Sequence, residues 1–210
     1  MPFAASFRML LAMNPPVSLA AGWSLMLVAM MAPAIIAPVL HVRLRSFRRL
    51  RARATALVLA AYGAVWMAAG VVLLAIELAA SLFAPQSYWP ASAAAAVAIV
   101  WQCSPLKQRC LNRCHLHREI RAFGAAADLD TIRFGLKHGF WCVGSCWAAM
   151  LAPMLLPRGH VPAMVLVSVL MLGERLEHPG PPSWRWRGFG KLKRIAIAQT
   201  RIRLNQLGFI

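Results

Sequence analysis

The sequence predicts an all-α protein, a polytopic membrane helical bundle of about five transmembrane helices with the N-terminus outside and the C-terminus cytoplasmic. Three observations predict it. First, 60% of the 210 residues are hydrophobic, which leaves too few polar side chains to cover a soluble domain of this length. Second, the apolar runs reach the roughly 20 residues that a helix needs to cross a bilayer. Third, the charge is +17, from 23 Lys and Arg against 6 Asp and Glu, and the cations are gathered between the apolar runs. That is the pattern of cytoplasmic loops and anionic headgroups rather than of nucleic-acid binding.

The first span extends from about Val17 to Leu40. Arg8 is the only charge before it and no small-residue cleavage site follows, so the segment reads as retained rather than as a secretory signal. Met26 and Met30 are one turn apart with Met31 adjacent, and Pro33 and Pro38 should kink the helix and free carbonyls near Met30. The second span runs from about Ala54 to Ser81, with Glu77 near its outer end. The connection that follows, APQSYWP, has no charge, and its Tyr88 and Trp89 suit an outer interfacial belt. The third span, from about Pro90 to Cys103, is short unless helix continues through Pro105. Its Ala91–Ala98 stretch offers small packing residues. The fourth runs from about Phe134 to Leu156 and the fifth from about His160 to Leu176. Residues 1–178 thus read as the transmembrane domain. Residues 179–210 read as a basic tail, cytoplasmic or interfacial, in which prolines stop the fifth helix and Trp alternates with Arg.

Topology follows from the cations. The first connection holds Arg43, Arg45, Arg48, Arg49, Arg51 and Arg53. The third holds Lys107, Arg109, Arg113, Arg118, Arg121, Arg133 and Lys137. The tail holds Arg175, Arg185, Arg187, Lys191, Lys193, Arg194, Arg201 and Arg203. Five spans put all of these on the cytoplasmic side and leave only Arg8 and Arg158 outside. An odd change in the number of spans destroys this division.

The chemistry lies in the fourth span. His138, Cys142, Cys146, Met150 and Met154 follow one another at steps of four, which on an α-helix places them on one slowly winding stripe. Thiolates and thioethers favour Cu(I), and imidazole suits copper, zinc and iron. A second pair, Cys110 and Cys114, has the same spacing just past the cytoplasmic end of span three, with His115 and His117 nearby. Two facing CxxxC pairs can complete a four-thiolate or mixed site. The same spacing is also what a packing face shows, and Met fills cores readily. Five cysteines, an odd number, do not resemble a secreted disulfide framework; on the cytoplasmic side they are expected as reduced thiols. Glu174, near the inner end of span five, is an acid at membrane depth and calls for a partner such as Lys107, Lys137 or His138. No Ser-His-Asp order, P-loop, GxGxxG after a strand, HExxH or CxxC appears, so no enzyme is expected.

Four blocks together resemble a bacterial family of uncharacterised proteins described as predicted metal-binding integral membrane proteins: WSLMLVAMMAPAIIAP (23–38), WQCSPLKQRCLNRC (101–114), GLKHGFWCVGSCWAAM (135–150) and GERLEHPG (173–180). The resemblance picks out Trp23, Met30, Met31, Pro33, Lys107, Cys110, Cys114, His138, Cys142, Cys146, Trp147, Met150 and Glu174. The third block often has two adjacent cysteines, where this chain has Ser145 before Cys146.

These readings converge on a multi-pass protein of the bacterial inner membrane. It is expected to bind a soft transition metal, copper or zinc with copper favoured, for transport or delivery across the membrane. The expected ligands are Cys110, Cys114, His138, Cys142, Cys146, Met150 and Met30. Expected partners are anionic lipids, and other membrane subunits or a metallochaperone, but not nucleic acid. The competing reading is an auxiliary subunit or assembly factor of a larger membrane complex, in which the Met and Cys stripes pack against neighbours. A thiol redox protein is a third, and it needs two cysteines close enough for a disulfide.

Overall fold

Helices form in chain order over Pro16–Arg45 (α1), Arg51–Phe83 (α2), Trp89–Cys103 (α3), Pro105–Cys114 (α4), Ala125–Met154 (α5) and His160–Leu176 (α6). The computed structural model describes residues 15–116, 119–121, 123–186, 190, 194 and 197–200, and among these there is no strand. Arg8, His117, Arg118 and the tail cations Arg187, Lys191, Lys193, Arg201 and Arg203 lie outside the described residues. Among the described residues, α1 and α2 are the two helices long and apolar enough to cross a membrane, and α3 is apolar but shorter.

Two boundaries differ from the sequence reading. Helix does not continue through Pro105. Ser104 is extended (φ −69°, ψ 146°) and its hydroxyl accepts the Lys107 amide, with Pro105 in the first turn of α4. A residue before proline is pushed out of the α region, and Ser is a favoured N-cap, so the chain stops and restarts there. The fourth apolar run, in turn, is the C-terminal part of a longer helix. α5 begins at Ala125 after Gly124, whose φ of +77° suits glycine. Asp128 in its first turn complements the helix dipole. α1 runs through both Pro33 and Pro38.

α5 is the central element, packed along α2 and against α3, α4 and α6. Small residues permit the close α2–α5 approach. A Cβ at Gly135 would lie 2.8 Å from both the Val58 carbonyl oxygen and Ala61 Cβ, and one at Gly139 would lie 3.0 Å from Val65 Cβ. Gly70 of α2 makes room for the Trp23 indole of α1, whose Nε1 donates to the Trp66 carbonyl at 3.2 Å. The basic ends are tied by Arg53–Asp128 at 2.6 Å and Arg121–Asp130 at 2.7 Å. The Arg121 guanidinium holds the Asp130 carboxyl below the usual carboxylate range. One core gathers Trp23, Met30, Met31, Tyr62, Trp66, Cys114, Cys142, Cys146, Met150 and Met171, drawn from α1, α2, α4, α5 and α6.

Candidate metal centre

The stripe on α5 faces this core. His138, Cys142, Cys146 and Met150 are all buried, with Met154 partly so. A step of four on a helix keeps successive side chains on one face, and here that face is turned inward against α1, α2 and α6.

The stripe divides into zones. At one end, the His138 ring lies 5.9 Å from that of Tyr62 and 6.0 Å from that of Phe134. In the middle, Cys142 and Cys146 are one turn apart and both buried in the same core. Cys142 Sγ also meets Tyr62 Oη at 3.2 Å, Arg175 Nη2 at 2.9 Å and Met31 Sδ at 4.0 Å. Cys146 Sγ meets Ser145 Oγ at 3.2 Å. Cys146 also borders a cavity of about 10 Å³ lined further by Met30, Met31, Met171 and Arg175. That is about the space of one water molecule. One thiol and three thioethers thus border this space, and the second thiol, Cys142, stands behind it against Met31. Met150 continues the stripe beyond it in the same core.

The α4 pair approaches from the side. Cys114 is buried in the same core, within electrostatic reach of the Arg175 guanidinium. Cys110 is partly exposed and sits against Gly144, where a Cβ would come 2.9 Å from its Sγ. Burial pushes the Cys114 thiol up to about 11, against the opposing pull of Arg175, and pushes the Cys110 thiol up as well. The two CxxxC pairs therefore share a neighbourhood. Among the described residues, however, no three His, Cys, Asp or Glu side chains stand close enough to hold one ion. Arg175 lies against Cys142 and acts electrostatically on Cys114, and the His138 ring packs among aromatic rings. His115 forms the C-cap of α4.

Glu174 has the partner its burial demands. Its carboxylate lies 2.8 Å from Lys107 Nζ and accepts from the Gln102 side-chain amide, while Lys107 Nζ donates to Gln102 Oε1 at 2.5 Å. All three side chains are buried. This network fastens the α3–α4 corner to the end of α6. Asn112 adds a two-way pairing with the Gly180 backbone, at 2.9 and 3.3 Å.

The sequence reading left two neighbours of the thiols, Tyr62 and Met171, unassigned, and counted a third, Arg175, only among the cytoplasmic tail cations, whereas it lies in the last turn of α6 against Cys142. Signals for them existed. Tyr62 is one of only two tyrosines and lies inside an apolar run, and Met171 precedes Arg175 by one helical turn.

Residues 20–194 match a family, PpoB2, described as a copper chaperone. The chain belongs to this copper-chaperone family. No curated protein and no solved structure matches it. The matched segment includes every cysteine and every core methionine named above. Membership supports the metal-related resemblance and, of the two metals expected, favours copper, while the membrane part of that resemblance is not in the match. The residues at the cavity also suit the cargo of a copper chaperone, since thiols and thioethers are the donors that Cu(I) prefers.

Proposed function

We propose that this protein is a multi-pass chaperone of the bacterial inner membrane that holds Cu(I) between Cys142 and Cys146 and hands it across or along the bilayer. The observation that carries the reading is a buried thiol pair beside thioethers: Cys146 borders one small cavity with Met30, Met31 and Met171, and Cys142 meets Met31. Cys114 and Cys110 lie to the cytoplasmic side and serve as the transfer step toward or from that compartment. Met150, with Met26 and Met154 beyond, continues the soft-donor path outward. His138 is the nearest nitrogen donor along the stripe.

Membrane embedding rests on more than α1 and α2. Large apolar side chains are exposed on every proposed span: Leu25 and Val28 on α1, Val71 and Val72 on α2, Ile99 and Val100 on α3, Phe140 on α5, Val165 and Leu166 on α6. A soluble surface rarely carries so broad an apolar belt. The cations bracket that belt, which favours five spans, a cytoplasmic C-terminus and contact with anionic lipids. A cytoplasmic metallochaperone or a membrane subunit is the proposed partner in copper transfer.

The test is copper retention. The full chain, purified anaerobically in detergent after loading with Cu(I), should keep about one copper per chain. The Cys142→Ser/Cys146→Ser double variant should lose most of it while its helicity is unchanged. Equal copper in the double variant contradicts the reading.

A further inference from the structure

Arg175 is a cation placed among neutral sulfur donors. Its Nη2 lies 2.9 Å from Cys142 Sγ and 3.5 Å from Ser145 Oγ, and the guanidinium also borders the cavity beside Cys146. Among the described residues it has no carboxylate partner. Lys107, the fully buried cation nearby, is compensated by Glu174, whereas Arg175 is partly buried. With its thiols protonated, the sulfur cluster therefore carries one positive charge without a carboxylate counter-ion, which is unfavourable where its guanidinium leaves water to lie against buried sulfur.

Ligation changes that charge. When Cys142 and Cys146 bind an ion, two S–H bonds break, two sulfur–metal bonds form, and two protons leave to solvent. The thiolates contribute two negative charges and Arg175 one positive, while Met30, Met31 and Met171 add none. A univalent ion brings the site to neutrality, and a divalent ion leaves it with a net positive charge. A third thiolate would reverse this balance, but no three thiols converge on one ion among the described residues. We infer that Arg175 is a specificity-determining residue that makes the site take a univalent soft cation, Cu(I) or Ag(I), and reject divalent zinc. This rests on the copper reading of the same thiol pair.

The experiment offers the detergent-purified full chain equimolar Ag(I) and Zn(II), removes free ions, and measures both metals per chain. Wild type is expected to retain Ag(I) over Zn(II). Arg175→Met should lower the Ag-to-Zn ratio by more than about tenfold, because unit charges at such short range interact strongly even at intermediate dielectric. Arg175→Lys keeps the charge and should keep the preference. Wild type taking both ions equally overturns the inference whatever the variants do. So does a folded Arg175→Met with the wild-type ratio, or an Arg175→Lys that loses the preference. If Arg175→Met loses its helical circular dichroism, wild type and Arg175→Lys decide alone. Silver uptake unchanged in Cys142→Ser/Cys146→Ser would instead remove the copper reading beneath it, so the two failures are distinguishable.

Discussion

Gly135 and Gly139, one turn apart on α5, bring its backbone against α2 so that Tyr62 can reach Cys142. Gly135→Val would drive a side chain into the Val58 carbonyl and Ala61, backbone and Cβ atoms that cannot rotate away. Overpacking of this kind costs about 1–3 kcal/mol, and the loss should appear in thermal unfolding in detergent. Gly63→Ala, where a Cβ meets nothing within 4 Å, should be tolerated. Burial also divides the thiols. Cys103 and Cys110 are partly exposed, whereas Cys114, Cys142 and Cys146 are buried. A maleimide should modify the first two in the folded protein and the other three only after unfolding, as read by mass spectrometry. Modification of Cys142 as fast as Cys103 would contradict its placement. The stripe from His138 to Met154 was legible in the sequence because a step of four fixes a helical face. The role of Arg175 was not. Adjacency to Glu174 shows only that the two side chains diverge around the helix, and which neighbour each meets depends on where α4 and α5 pack.

The end of α6 is held by an ion pair rather than by apolar packing alone. Lys107 and Glu174 are both fully buried, so removing one leaves an uncompensated charge. Lys107→Met should therefore destabilise the protein by about 3–5 kcal/mol, while Lys107→Met/Glu174→Leu should recover much of that loss. Chemical unfolding of the two variants checks this; equal destabilisation would mean that the pair does not act as a unit. The need of Glu174 for a partner, and Lys107 as a candidate, were readable from the cost of an acid at membrane depth. The helix break at Ser104 that turns Lys107 inward was less evident, because Pro105 suits both the first turn of a new helix and a kink within one. The start of α5 at Ala125 was hidden by its polar first turns, which carry no hydrophobic run.

For the whole molecule, all-helical architecture was legible from composition, since the apolar content and the spacing of the cations leave little room for another class. The number of crossings rests on charge distribution. α3 is short, and α5 mixes polar and apolar turns, so length and hydropathy alone identify α1 and α2. Reporter fusions after Ser87 and at the tail separate the possibilities. The five-span arrangement predicts an external signal from the first and a cytoplasmic signal from the second. A cytoplasmic signal after Ser87 would contradict it.

The account centres on copper held by sulfur inside the bundle. X-ray absorption at the copper edge, on the anaerobically loaded full chain, reports the oxidation state and the ligand atoms together. The account predicts Cu(I) with a shell of sulfur alone, drawn from Cys142, Cys146 and neighbouring thioethers, and loss of that signal in Cys142→Ser/Cys146→Ser. A shell dominated by nitrogen or oxygen, or an unchanged sulfur shell in the double variant, would contradict it.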